Sequence, residues 1–104
     1  ARTAPAAERR TQKREEAVAR QRRADARKPL LARQAALEQD LARLGAEKTA
    51  LDEWLASPDA YAEDAKERLV ASLARQAEVT WTLARLEAQW LELAEELERL
   101  DRSQ

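Results

Sequence analysis

Leucines recur every seven residues in the middle of the chain, at Leu30, Leu37, Leu44 and Leu51. Each is followed four residues later by a member of a second set, Gln34, Leu41, Lys48 and Leu55. Steps that alternate between three and four residues place side chains on one face of a helix. The pattern therefore predicts an amphipathic helix with a narrow apolar seam, which two polar residues interrupt.

The same spacing returns near the end of the chain and predicts a second helix. Its seam positions are Leu69, Ser72, Gln76, Val79, Leu83, Leu86, Trp90, Leu93, Leu97 and Leu100. Between the two seams, Pro58 disfavours a helical conformation at the residue before it, so we place a turn near 57–63. Asp64 and Glu67 have the spacing of a capping box, which predicts that the second helix starts there.

Two amphipathic helices joined by a short link are expected to lie antiparallel. Aligning the two seams gives the pairs Leu44–Val79, Leu37–Leu86, Lys48–Gln76 and Gln34–Trp90. Polar layers of this kind usually fix the register of a coiled coil. The predicted fold class is therefore all-α, with a two-helix antiparallel coiled-coil hairpin over residues 29–104.

Composition favours a thin helical structure over a thick globular core. Ala, Glu, Lys, Leu and Arg make up 72 of the 104 residues, well above the share that indicates coiled coils. The one glycine, Gly45, lies in the middle of the first helix, and a close helix approach or a slight bend would explain it. Because the chain begins at Ala1 and contains no Met, we expect it to be a piece of a longer protein.

The residues that are missing exclude several kinds of chemistry. Without Cys or His, disulfides, zinc-finger sites and catalysis by cysteine or histidine are excluded. A single glycine cannot build a glycine-rich phosphate-binding loop. No apolar run approaches the roughly 18 residues that a membrane span needs, and we expect no membrane partner.

Charge is divided unevenly along the chain. Residues 1–28 contain ten Lys or Arg and four Asp or Glu, a net charge of +6, whereas residues 29–104 contain nine and sixteen, a net charge of −7. The phase of the leucine seam runs back through Arg27, Arg23 and Arg20. We expect this part of the first helix to extend beyond the second, where a leucine would face water and an arginine is solvated.

Residues 1–28 are thus predicted to form a basic arm, partly helical, that links the hairpin to a missing upstream domain. Pro29 marks its end, either as the first residue of a new helix or as a kink in a continuous one. Clustered cations attract phosphate with little sequence specificity. The candidate nucleic-acid-binding residues are Arg9, Arg10, Lys13, Arg14, Arg20, Arg22, Arg23, Arg27 and Lys28. Alternatively, these cations are solvated and pair with acidic residues of the arm.

A second apolar stripe lies on the second helix, away from the seam. It consists of Val70, Leu73, Ala77, Trp81, Ala84, Ala88 and Leu91. A stripe of this length predicts burial against another surface, either in a homodimer that completes a four-helix bundle or on an upstream domain. The alternative function is therefore a structural oligomerisation or adaptor hairpin that binds a protein partner. The clustered carboxylates are interpreted as a solvated face, so no catalytic and no metal-binding residue is predicted.

Three stretches of the chain resemble the C-terminal coiled-coil extension of bacterial ABC-F proteins. They are KREEAVARQRRADARKPLLARQAALEQDLARL, LASPDAYAED and LARLEAQWLELAEELERL. The most informative positions are Pro29-Leu30 at the start of the hairpin, Pro58 with Tyr61 at its tip, and Trp90-Leu91 near its end.

ABC-F proteins are soluble ATPases with two tandem ATP-binding cassettes and no transmembrane domain. The resemblance implies that this hairpin follows the second cassette of a cytoplasmic ATPase and binds DNA or ribosomal RNA. It implies that Tyr61 packs at the hairpin tip and that Trp90 lies in the seam. ATP and Mg²⁺ would belong to the parent protein, because this fragment has no Walker A sequence, signature motif or glycine-rich loop and is not expected to be an enzyme.

Overall fold

The computed structural model of the chain describes residues 3–103. It contains two long helices, α1 (Thr3–Leu55) and α2 (Lys66–Arg102), joined by two short 3₁₀ turns, Pro58–Tyr61 and Glu63–Ala65. The helices fold back on each other into an elongated hairpin that measures 15 Å in both transverse directions. No strand occurs in the part of the chain that the structure describes, and the predicted all-α hairpin is confirmed.

The apolar seam lies where the two sequence patterns predict it. Each predicted seam position, from Leu30 to Leu55 on α1 and from Leu69 to Leu100 on α2, is buried or half-buried. The centre of the core consists of Leu44, Val79 and Leu86, and the residues packed against it are Leu37, Leu41, Leu51 and Leu83. The predicted pairs Leu44–Val79 and Leu37–Leu86 therefore belong to one cluster.

A polar layer crosses the seam at Asp52. Lys48 Nζ lies 2.7 Å from Asp52 Oδ2, and Gln76 Nε2 donates to Asp52 Oδ1 over 2.7 Å. The predicted partners Lys48 and Gln76 are thus bridged by a carboxylate one turn farther along α1. Hydrogen bonds from Lys48 and then from Gln76 hold the pKa of Asp52 below its ordinary value of 3.8.

Two further directed contacts join the helices. Arg75 forms a forked ion pair with Glu47, with nitrogen–oxygen distances of 2.8 to 3.1 Å, and the hydrogen bond to Glu47 raises the pKa of the Arg75 guanidinium. The Trp90 indole N–H donates to Glu38 Oε1 over 3.1 Å, one turn from the expected neighbour Gln34. Such contacts need one particular register, because their partners lie on different helices.

The link between the helices is longer than the predicted turn near 57–63, since α1 ends at Leu55 and α2 begins at Lys66. The predicted capping box is wrong. Ala65 occupies the N-cap position of α2 without a side-chain capping bond, because Asp64 belongs to the preceding 3₁₀ turn. The Ala65 N–H donates to the Ala62 carbonyl over 3.0 Å, so a backbone hydrogen bond of the turn immediately precedes α2.

The neighbouring residues Ala60 and Tyr61 differ in burial at the hairpin tip. The tip buries Ala60, which is 1 % exposed, whereas Tyr61 is 69 % exposed. The expected packing of the Tyr61 ring is therefore wrong. Its hydroxyl instead donates to the Leu55 carbonyl over 3.0 Å, which satisfies a carbonyl that has no partner within the last turn of α1.

Two positions in α1 resolve alternatives that the sequence left open. The helix runs through Pro29 as one element, so no new helix begins there. Proline has no N–H, and the helix loses the hydrogen bond to the carbonyl of Asp25; both residues are exposed to water. At Gly45 an added Cβ would meet no atom within 4 Å, so a close approach of the second helix does not explain this glycine.

Candidate nucleic-acid interface

The basic arm is an uncovered extension of α1. The second helix ends at Arg102, and the outermost ion pair between the helices joins Arg27 Nε to Asp101 Oδ1 at 3.3 Å. From that point α1 continues to Thr3, a length of about 36 Å at 1.5 Å per residue. All side chains from Ala7 to Val18 are exposed. The arm therefore lies against water along most of its length.

Because α1 is one continuous helix, each cation of the arm lies on a defined face of it. At about 100° per residue, one group continues the line of the leucine seam and consists of Arg9, Lys13, Arg20, Arg23 and Arg27. A second group lies on the adjoining side and consists of Arg10, Arg14 and Lys28. Arg22 falls on the remaining side with Glu8 and Glu15. Asp25 lies about 20° from Arg14, at the border of the second group, and Glu16 lies within the first group.

The nine candidate cations are not equivalent in their surroundings. Arg23 and Arg27 are half-buried near the end of α2, and Arg27 pairs with Asp101. The other seven are exposed, and in the described part of the chain no ion pair involves any of them. Arg27 is thus joined to the end of the hairpin by this ion pair, while the exposed cations remain available to an anionic ligand.

The structure also shows two aromatic–guanidinium contacts that the sequence reasoning missed. The Arg68 guanidinium lies 4.1 Å from the centre of the Trp54 ring, and that of Arg85 lies 5.1 Å from the Trp81 ring. The second pair could have been found from its spacing of four residues on one helix. The first joins α1 to α2 and becomes visible only when the register of the hairpin is known.

The second apolar stripe is uncovered in the single chain. Val70 is 68 % exposed, Trp81 64 %, Leu91 56 % and Leu73 49 %. The alanines Ala77, Ala84 and Ala88 between them are exposed as well. This face lies opposite the seam, so α1 cannot cover it. The predicted burial of the stripe would need a surface outside this hairpin.

Other kinds of site find little support in the described residues. The acidic clusters around Glu63 and Glu95 lie on exposed surface, and residues 3–103 hold no group of three or more metal-binding side chains placed around one point. Within the same range, neither helix is both long and apolar enough to cross a membrane.

Comparison with known proteins found no matching protein family, no similar curated protein and no similar solved structure. The fold and its charged surface therefore define the class on their own: an antiparallel coiled-coil hairpin whose first helix extends as a basic arm.

Proposed function

We propose that the basic arm binds nucleic acid, DNA or ribosomal RNA, while the hairpin holds the arm in position. The observation that carries this proposal is the continuity of α1 beyond the end of α2. A single helix keeps Arg9, Lys13 and Arg20 in line, and all three are exposed. The contacts would be made to phosphates, because no aromatic residue lies in the arm to stack on a base.

Charge distribution supports the arm rather than the hairpin as the contact surface. The arm carries a net charge of +6 and the remainder of the chain −7, so a polyanion is attracted at one end of the molecule and repelled from the rest. An α-helix fits the major groove of B-DNA, which is about 12 Å wide. Binding of this kind is sequence-independent, with dissociation constants of about 10⁻⁴ to 10⁻⁶ M at physiological salt.

We place this function in the context of an ABC-F-like ATPase. The chain would be its C-terminal coiled-coil domain, the arm would connect to the second cassette, and the protein would be cytoplasmic. The hairpin would not be an enzyme, since ATP and Mg²⁺ would bind to the cassettes. Support comes from the resemblance of the three quoted stretches and from a hairpin preceded by a helical basic segment. Two ATP-binding cassettes upstream in the full-length protein would be the decisive observation.

The binding proposal can be tested with two variants that change net charge equally. The first replaces Arg9, Lys13 and Arg20 by Gln, and the control replaces the exposed hairpin residues Arg33, Arg43 and Lys66 by Gln. Each set contains two arginines and one lysine. Fluorescence anisotropy with labelled duplex DNA and with a structured RNA, from about 50 to about 200 mM salt, measures both affinity and salt dependence.

We expect the arm variant to lower the slope of log K against log salt by about 2 to 3, because each phosphate contact contributes about 0.9 for duplex DNA. The control should retain the slope of the unmodified chain. Equal losses in both variants would show that only overall charge matters, and the proposal for the arm would then be wrong. The ratio of RNA to DNA affinity indicates which nucleic acid is the better ligand.

The alternative function, an adaptor or oligomerisation hairpin, is favoured by a different observation, the exposed stripe around Trp81. It predicts protein association that survives high salt, because apolar contacts are not screened by ions.

A further inference from the structure

The exposed stripe on α2 has a heptad spacing of its own. Its central positions alternate between steps of four and three residues: Val70, Ala74, Ala77, Trp81, Ala84, Ala88 and Leu91. All seven are exposed, and Leu73 lies at the edge of the stripe. Because the alternation is that of a coiled-coil seam, α2 carries one seam that α1 covers and a second seam, on its opposite side, that no described residue covers.

The second seam is nearly symmetric about its midpoint. Val70 and Leu91 are its ends, Ala77 and Ala84 stand at equal distances inside them, and Trp81 lies at the centre to within one residue. Two copies of α2 packed antiparallel with Val70 opposite Leu91 would therefore match at the ends and at the inner alanines, while Ala88 would meet Leu73 and Ala74 would meet Glu87. Val70 would meet Leu91 of the other copy, Ala77 would meet Ala84, and Trp81 would lie beside Trp81. From this self-matching pattern we infer that the occupant of the stripe is a second copy of this chain.

Residue size fits the same arrangement. The positions between the ends and the centre are alanines, which allow two helices to approach closely, as small residues do at tight helix contacts. Two indole rings then lie side by side near the two-fold axis, where offset or edge-to-face aromatic contacts are favourable. A flat partner surface would leave Trp81 standing above a row of alanines, with gaps on both sides of it.

Charge beside the seam distinguishes the antiparallel arrangement from a parallel one. Glu78 and Arg85 flank Trp81 on the same side of the stripe. In an antiparallel pair, Glu78 of each copy lies near Arg85 of the other, which gives two opposite-charge contacts. In a parallel pair at the same register, Glu78 would face Leu73 of the other copy and Arg85 would face Thr80, so neither charge would gain a partner. The antiparallel pairing therefore brings these opposite charges together and the parallel one does not.

The size of the stripe predicts a weak dimer. Acidic residues, Glu67 and Glu95, end the second seam, so its apolar length from Val70 to Leu91 is about 32 Å. In the antiparallel pair these two glutamates come level with each other at the exposed ends, where repulsion is screened by solvent. A contact of two single helices over this length falls below the 1,200 to 2,000 Å² typical of stable complexes. We expect a dissociation constant on the order of 10 to 100 μM, in the range of transient interfaces.

A second consequence concerns the arms. Because the two-fold axis passes near Trp81, far from Thr3, the two basic arms would project from opposite ends of the dimer. A dimer of this shape presents two separate cationic segments instead of one combined patch.

Sedimentation equilibrium across about 5 μM to about 1 mM protein tests the proposal directly. The unmodified chain should shift from monomer to dimer across this range. The Trp81→Glu variant should remain a monomer, because it buries a carboxylate at the centre of the second seam. Val18→Glu is the matched control, since Val18 is an exposed apolar residue on the arm, and it should dimerise like the unmodified chain. Far-UV circular dichroism checks that all variants keep their helices.

The antiparallel register has its own test in a charge exchange. Glu78→Arg and Arg85→Glu should each weaken dimerisation about fivefold or more, and the double variant should recover most of the loss. A chain that stays monomeric at the highest concentration would overturn the proposal and leave an upstream domain as the occupant. A dimer that persists in Trp81→Glu would also overturn it, and a double variant no tighter than the single ones would refute the antiparallel pairing.

Discussion

Replacing Gly45 by Ala should stabilise the hairpin, although Gly45 is half-buried and adjoins the buried residue Leu44. An added Cβ would have no neighbour within 4 Å, so no atom must move to accept it. No residue of the described chain, Gly45 included, has a positive φ angle. Alanine can therefore adopt the same backbone conformation without strain, and the substitution acts through helix propensity and through the entropy of the unfolded chain.

The size of the effect follows from these two contributions. Glycine in a helix interior is less favourable than alanine by about 0.8 to 1.0 kcal/mol, and compatible Gly→Ala changes in proteins stabilise by about 0.4 to 1 kcal/mol. We expect an increase of about 0.5 to 1 kcal/mol in the free energy of unfolding. For a chain of this size the midpoint of thermal unfolding should rise by about 2 to 5 °C.

Thermal and urea unfolding, followed by far-UV circular dichroism at a concentration where the chain is monomeric, would measure this change. Ala46→Gly is the matched control, because Ala46 is the next residue of the same helix and is exposed; it should lose about as much as Gly45→Ala gains. If Gly45→Ala lowered the midpoint while the control behaved as expected, the open space beside Gly45 would have to be occupied in solution, and the reasoning would be refuted.

Two further predictions concern the seam and its polar layer. Leu44 is only 6 % exposed, and Leu44→Ala should reduce the free energy of unfolding, measured by urea titration, by about 2 to 3 kcal/mol. This is the low end of the usual range, because a thin core can collapse around the missing side chain. The control Leu31→Ala, at a residue 44 % exposed on the same helix, should change the free energy of unfolding by less than about 1 kcal/mol. Asp52 has a pKa below 3.8 in the folded chain, so its contribution to stability is present above that pH and is lost as the pH falls through the lowered value. Asp52→Asn should therefore flatten the loss of stability as the pH falls below about 4, and an unchanged slope would show that the contacts of Asp52 with Lys48 and Gln76 do not persist in solution.

Sequence spacing was sufficient to identify the seam but insufficient to identify the polar contacts that cross it. Leu44, Val79 and Leu86 could be assigned to the core because burial of a helix face depends on a period that the residues themselves carry. Asp52 could not be assigned to the polar layer, since its role depends on the rise and rotation that bring Gln76 to within 2.7 Å. The start of α2 was misplaced for a similar reason, because a 3₁₀ turn includes Asp64 and no local pattern distinguishes that turn from a helix cap.

The same distinction between sequence spacing and tertiary structure applies to the candidate nucleic-acid interface. The sequence by itself determined where the cations lie, that the chain is helical, and that the second helix has two apolar stripes, since these follow from residue types and their spacing. Only the tertiary structure decided where α2 ends beside α1, and that end separates Arg27, held by Asp101, from Arg9 and Arg20, which are exposed. The physical reason is that the role of a charged side chain depends on the surface opposite it. That surface comes from a distant part of the chain and decides whether the side chain stabilises the fold or remains available to a ligand.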